Sequence, residues 1–348
     1  MRNKTCEVRL AAFLDECTRT RPADGTQVIA SVEDQLMVGQ ALGLSWWAPR
    51  WFNFGTQDKP DIVNVGKLTN AQLAIVISAQ RAYGFAAHCM GSGIGKVKLL
   101  DVPDGTDVPY YEPQRYLDEV VLPTAAIAEE LRVKAVRLFS FYHPRGTDSS
   151  QYVEQAAERL APIVGIFMAR RILPLLEVEA NLVGNRGATC MALAGRLWEC
   201  VRRRTLGLIW DWGNVYSQGL DPWAEWQLMS DGVVEFHAKF YDGPRPKGFG
   251  PIDEHALSHY VAADGCTGLA RPDMILSDVR SRYTCIRAYG VGEPVIVLEP
   301  HLLGGGRFGG VSGGIGMGVA LRSLCRTLDH VGLAYRLHEQ QDVEALRQ

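Results

Sequence analysis

Val233-Val234-Glu235-Phe236-His237-Ala238-Lys239-Phe240 is an apolar run with a carboxylate, an imidazole and an ammonium set into it. Its β-branched and aromatic residues, free of Gly and Pro, read as a strand. Charged side chains are depleted in strands, so their presence here asks for a reason. The pattern recurs on both sides. Leu173–Glu179 ends in Leu175-Leu176-Glu177-Val178-Glu179, Leu206–Asp211 ends in Trp210-Asp211, and Val295–Pro300 runs through Glu299 to His301. Ala135–Tyr142 is a further strand candidate, and Val8–Phe13, Gly43–Trp47 and Phe85–Cys89 are weaker ones upstream. Between them, Val32–Leu42, Asn70–Tyr83, Tyr152–Ala169, Gly187–Val201 and Met317–His330 carry apolar residues at three- and four-residue intervals, as amphipathic helices do. Eight strands, each with a helix to follow, predict an α/β fold closed as a (β/α)8 TIM barrel. The expected organisation is one barrel domain over residues 1–348, with an atypical Trp-rich region over 1–60.

The chain has 348 residues, 36 Lys plus Arg against 39 Asp plus Glu, and a formal charge of −3. That balance gives no basic footprint for nucleic acid. No apolar run approaches the ~18 residues of a membrane span, and the N-terminus lacks the apolar segment of a signal peptide. A soluble, cytoplasmic protein is expected. None of the 8 cysteines forms a Cys-x-x-Cys pair, so they read as small buried hydrophobes.

In a barrel, catalytic groups project from the C-terminal ends of the strands toward one axis. Here four late strands end in Glu177, Asp211, His237 and Glu299. Buried together in a barrel mouth, such groups would be costly without a counter-charge. One divalent cation would serve all four. Three carboxylates and an imidazole form a hard donor set suited to Mn²⁺ first, or Mg²⁺, with Co²⁺ and Zn²⁺ as alternatives. Strand alternation also turns Glu179, Lys239 and His301 inward beside Glu177, His237 and Glu299, as a substrate shell. Either Glu177 or Glu179 then qualifies as the ligand from its strand. Taken singly, a strand-end carboxylate is more often a helix cap, and a lone His more often a hydrogen-bonded core residue. Four such ends in succession change that reading.

These segments resemble the xylose-isomerase-like TIM barrels, a family that includes sugar and sugar-phosphate isomerases and epimerases. Val136-Arg137-Leu138-Phe139-Ser140-Phe141 resembles the family's fourth strand, and Leu175-Leu176-Glu177 its fifth. Trp210-Asp211-Trp212-Gly213-Asn214 is similar to its aspartate strand, and His237-Ala238-Lys239 to its His-x-Lys-Asp segment, with Phe240 in place of Asp. Leu298-Glu299-Pro300-His301-Leu302 and Phe308-Gly309-Gly310-Val311-Ser312-Gly313 resemble its eighth strand and loop. Gly91-Ser92-Gly93-Ile94-Gly95-Lys96 is similar to the segment after strand three. The resemblance implies that Glu177, Asp211, His237 and Glu299 bind one divalent metal. It also implies that Glu177 and Glu299 act as base and acid on a carbohydrate. Arg137, Glu179, Asn214, Lys239 and His301 are then substrate-binding candidates. For Arg137, an ion pair within the barrel is the alternative.

Proton removal beside a carbonyl, followed by return of the proton, gives isomerisation or epimerisation. If a neighbouring carbon carries a leaving group, the same first step gives elimination. The resemblance extends to such lyases, including the large subunits of C-glycoside deglycosidases. His143, in Tyr142-His143-Pro144-Arg145-Gly146, would then be a separate base or else an exposed loop residue. Trp46, Trp47, Trp51, Phe52 and Phe54 form an aromatic cluster just after the second strand. They either wall a substrate pocket, with Trp47 stacked on an aromatic aglycone, or pack against the barrel or a smaller partner subunit. An oligomer is expected. The third reading is a barrel that has lost its chemistry and serves as a binding subunit.

Overall fold

The computed structural model describes residues 6–21, 23–201, 206–239, 241–245, 248–251, 272–290, 292–300 and 313–338. Phe240, His301 and the segment 302–312 therefore lie outside the described residues. Eight short parallel strands form the centre. They are β1 (Glu7–Ala12), β2 (Trp46–Trp47), β3 (Ala86–Ala87, continued after His88 as Cys89–Met90) and β4 (Ala135–Leu138). Then come β5 (Leu173–Glu177), β6 (Gly207–Asp211), β7 (Val233–Ala238) and β8 (Val295–Leu298). Strands β3 through β8 pair in sequence order, and β8 returns to β1 with Ala12 opposite Leu298.

Two details complete the ring. Trp46 and Trp47 pair with Ala86 and Ala87, so β2 lies against the first part of β3. Beyond β2, Ala48 N–H donates to Ala12 O at 3.0 Å, which joins β2 to the end of β1. The helices α1 (Val32–Ala41), α2 (Asn70–Ala82), α3 (Leu122–Glu130), α4 (Val153–Ala169), α5 (Gly187–Val201), α6 (Pro222–Met229), α7 (Pro272–Arg287) and α8 (Gly313–Val331) follow the strands in turn. Local sequence sets their starts. Ser31 caps α1, Thr69 and Gln72 form a reciprocal capping box at α2, and Asp221 caps α6. A short helix, Trp212–Ser217, starts directly at Asp211, whose side chain caps it by accepting from Asn214 N–H.

Because all eight strands run the same way, their C-terminal ends share one rim, where barrels carry their sites. The strands are shorter than the apolar patterns suggest. β5 stops at Glu177, β7 at Ala238 and β8 at Leu298, so Glu179 and Lys239 follow their strands rather than belong to them. Two antiparallel hairpins, Thr18–Thr20 with Gln27–Ile29 and Trp51–Asn53 with Ile62–Asn64, occupy the early rim.

The aromatic cluster divides between core and rim. Trp47 is fully buried, packs on Phe52 and Phe85, and donates from Nε1 to Gln80. The expectation that Trp47 contacts substrate is corrected accordingly: its ring points away from the rim into the helix layer. Trp51 is the cluster's tryptophan on the cavity wall. Among the described residues, no helix is long and apolar enough to cross a membrane.

Candidate metal centre

Glu177 closes β5, Asp211 closes β6, His237 lies one residue before the end of β7, and Glu299 follows β8 directly. One donor atom from each of the four lies within 4.8 Å of every other, and all four residues are buried. His237 Nδ1 faces Glu177 Oε1 at 3.3 Å, Glu299 Oε2 at 3.5 Å and Asp211 Oδ2 at 3.9 Å. That nitrogen has no hydrogen-bond partner among the described residues, an expensive condition for a buried polar atom. Three buried carboxylates and an imidazole this close together form a donor set that fits one divalent ion. Glu179 does not join the four. Its carboxylate lies on the cavity wall and accepts from Lys96 Nζ at 2.9 Å.

Each member of the set is held from behind. Arg137 Nη1 lies 3.1 Å from Glu177 Oε2, and Asn214 Nδ2 donates to Glu177 Oε1 at 3.1 Å. Arg50 donates to Glu299 Oε1 at 2.5 Å while its other nitrogens reach Asp15 Oδ2 at 2.8 Å and Glu16 Oε1 at 3.2 Å. His237 Nε2 bonds Glu235 Oε1 at 3.1 Å, which leaves Nδ1 to face the carboxylates. Lys239 Nζ donates to Asn214 Oδ1 at 2.9 Å and lies 2.7 Å from Asp211 Oδ2. Its stem passes over Gly213, where an added Cβ would sit 2.4 Å from Lys239 Cβ, so glycine is required there.

The electrostatics follow from burial and crowding. Burial pushes the Asp211 carboxyl up to about 7, with Glu177 and Glu299 adding to the rise and Lys239 opposing it. Burial also acts to raise Glu177, but Arg137 and then His237 outweigh it and hold it well below the usual carboxylate range. For His237, burial favours the neutral ring, yet the surrounding carboxylates, Glu177 first, lift it to about 9. Lys239 is likewise raised despite burial, chiefly by Asp211.

A cavity of about 390 Å³ opens beside the four residues. Its wall includes Trp51, Phe139, Lys96, Glu179, Arg137 and Lys239. His143 is not on that wall. Its ring stacks on Tyr152, and Nδ1 lies 3.1 Å from Pro144 O and 3.2 Å from Thr147 Oγ1, within its own loop. The Gly91–Lys96 segment borders the cavity through Gly91, Ser92, Gly93 and Lys96. Gly95 has φ +92, and a Cβ there would meet Phe139 O at 1.9 Å.

Solved structures of the same architecture can be superposed on nearly the whole chain. One is a xylose isomerase-like TIM barrel protein from Mycobacterium smegmatis in complex with magnesium, with TM-score 0.56 and 14% identity over 94% of this chain and 98% of that one. The chain has the xylose-isomerase-like TIM barrel fold. A probable 3-DHS dehydratase from Bacillus anthracis matches this barrel with TM-score 0.54 and 13% identity, over 92% of this chain and 98% of its own. D-psicose 3-epimerase from Clostridium cellulolyticum H10 matches with TM-score 0.51 and 10% identity, over 87% and 93%. No protein-family model and no curated protein matches the sequence.

Three groups at this site escape the strand-end reading: Arg50, Glu235 and His88. Glu235 stands two residues before His237 on the same strand, so the alternation that links His237 to Lys239 also links it to Glu235. Arg50 is a lone charge inside a Trp-rich segment. His88 carries no motif.

Proposed function

We propose that this chain is a divalent-metal-dependent enzyme that removes the proton beside a carbonyl in a sugar or sugar derivative. The observation that carries the reading is the convergence of Glu177, Asp211, His237 and Glu299 beside a cavity, with His237 Nδ1 buried among carboxylates and lacking a hydrogen bond. Glu177, Asp211, His237 Nδ1 and Glu299 would hold the ion, and the hard donor set favours Mn²⁺ or Mg²⁺. Bound there, the ion would polarise the carbonyl and stabilise the negative charge that develops on its oxygen. An epimerase and a dehydratase share the fold, and proton removal beside a carbonyl serves either outcome.

The chain's own groups divide the remaining work. Lys239 Nζ and Asn214 would hold substrate oxygens at the cavity floor, and Trp51 and Phe139 would flank the sugar. Glu177 and Glu299 are the expected base and acid, but each has an oxygen committed to a buried guanidinium. The guanidinium lies on one oxygen of each, and the other oxygen faces His237 Nδ1, where the ion would sit. Glu179 has only to exchange the half-exposed Lys96, and no described residue engages its Oε1. We therefore assign proton removal to Glu179 Oε1, with the return step or departure of a leaving group completing turnover.

The test is proton NMR in D₂O with ketoses, inososes and 3-oxo-glycosides, using Mn²⁺-loaded and EDTA-treated protein. Deuterium entering an α-carbon only in the loaded sample supports the reading, and a new isomer or an eliminated product names the branch. Glu179→Gln should lower exchange by about 100-fold or more. No exchange with any of these substrates would count against the function. Exchange undiminished by Glu179→Gln would return the proton to Glu177 or Glu299.

A further inference from the structure

We propose that His88, reaching across the barrel to Glu235, is a positioning residue that sets the metal affinity and ligand geometry of His237. The inference rests on the metal part of the reading above. His88 is the residue at which β3 changes neighbours. Its N–H donates to Trp47 O at 2.9 Å on one side, and its carbonyl accepts from Lys134 N at 2.8 Å and Ala135 N at 3.1 Å on the other. Both backbone groups are therefore fixed, and the ring packs edge-on against Trp46 with centroids 6.1 Å apart. From β3 the ring crosses the barrel axis to β7, with three strands intervening either way round. There Nε2 lies 3.1 Å from Glu235 Oε2, while Glu235 Oε1 takes His237 Nε2 at 3.1 Å.

The chain His88–Glu235–His237 lies wholly out of solvent, with relative exposures of 3%, 0% and 0%. Barrel interiors are normally filled by branched apolar side chains, and a carboxylate there carries a desolvation cost. For stability alone, an apolar residue of similar volume would serve as well or better. What the carboxylate supplies is direction. With Nε2–H turned to Glu235, His237 presents Nδ1 to the three carboxylates, and its ring cannot rotate without losing that bond. His88 fixes Glu235 in turn. Neither His88 Nδ1 nor Glu235 Oε2 has a hydrogen-bond partner among the described residues, so apart from packing only the 3.1 Å approach of Nε2 to Glu235 Oε2 ties the ring to the site. Outer partners of this kind orient a ligand and change affinity by about 10–100-fold when removed.

The experiment is titration of EDTA-stripped protein with Co²⁺, followed by visible absorption, with melting temperature as the fold control. His88→Leu should weaken Co²⁺ binding by about tenfold or more and shift the visible bands, because Glu235, and through it the His237 ring, loses its anchor. His88→Gln, whose amide nitrogen can donate to Glu235 Oε2, should restore affinity to within about threefold and return the bands. Glu235→Gln provides an independent route and should weaken binding by about tenfold. Wild-type affinity with superimposable spectra in His88→Leu would overturn the proposal, as would failure of His88→Gln to restore them in a folded protein. Wild-type protein that binds no Co²⁺ would overturn the metal reading itself, an outcome distinct from either.

Discussion

Arg50→Met is the sharpest perturbation of the structure behind the site. The guanidinium is 5% exposed and makes three contacts with carboxylates, at 2.5 Å to Glu299, 2.8 Å to Asp15 and 3.2 Å to Glu16. Methionine keeps much of the stem's volume and removes the charge, leaving those carboxylates without their common partner. Breaking a buried ion pair from one side costs about 3–5 kcal/mol. With about 2.1 cal/mol/K of unfolding entropy per residue, a chain of 348 residues loses about 4–7 °C of melting temperature. The assay is differential scanning calorimetry in EDTA at about pH 8 and about pH 5.5, wild type beside variant.

The pH dependence has a definite sign. Burial already lifts Asp15 to about 6 with Arg50 in place, so removing the guanidinium raises it further. A carboxyl whose folded value lies above its unfolded value costs stability above that folded value, and the cost fades as pH falls through it. The deficit of Arg50→Met should therefore be largest at about pH 8 and shrink at about pH 5.5. A variant that melts within about 1 °C of wild type at the higher pH would refute the reasoning. So would a deficit that does not change with pH.

Since His237 is raised to about 9 and Asp211 to about 7, and both must bind a metal deprotonated, metal binding near neutral pH should release between about one and two protons, read by calorimetry in buffers of different ionisation enthalpy. Apparent affinity should then fall as the pH falls below about 9, and pH-independent binding would count against His237 as a ligand. Trp47→Ala should destabilise by about 3–5 kcal/mol in denaturant titrations, since its ring is fully buried. Trp51→Ala should instead leave folding nearly intact and raise KM by about tenfold, the loss of one aromatic face to a sugar. His143→Ala should leave α-proton exchange within about twofold of wild type, and a severe loss would return that histidine to the chemistry.

The barrel was legible because each strand carries a run of apolar residues that survives in a single sequence. Even the weak early runs, such as Val8–Phe13 and Gly43–Trp47, overlap β1 and β2, the second only at Trp46 and Trp47. The runs overreach at their C-terminal ends because the loops that fold over the rim are apolar too. Phe139 and Phe141 are buried, yet β4 ends at Leu138 and Phe141 has φ +68, which breaks the alternation. Glu179 and Lys239, two and one residues past their strands, still reach the cavity wall as expected, Glu179 paired with Lys96 and Lys239 lying over Gly213.

The four convergent residues were readable because ionisable groups at successive strand ends are rare. The groups behind them were harder to see. Arg50 pairs with partners 35, 34 and 249 residues away, a relation no local pattern contains. His88 acts across the barrel, where only the closed ring brings β3 opposite β7. The aromatic cluster was open between core and pocket because hydrophobicity alone does not distinguish a ring that faces helices from one that faces a cavity. Closure of β2 against β3 turns Trp47 one way and leaves Trp51 on the other.

The central claim is that Glu177, Asp211, His237 and Glu299 hold one divalent ion. Equilibrium dialysis against Mn²⁺, with elemental analysis of wild type, Asp211→Asn and His237→Gln, tests it most directly. One ion per wild-type chain, and none retained by either variant while both stay folded, is the predicted result. An ion retained by both variants, or a folded wild type that binds none, would contradict it.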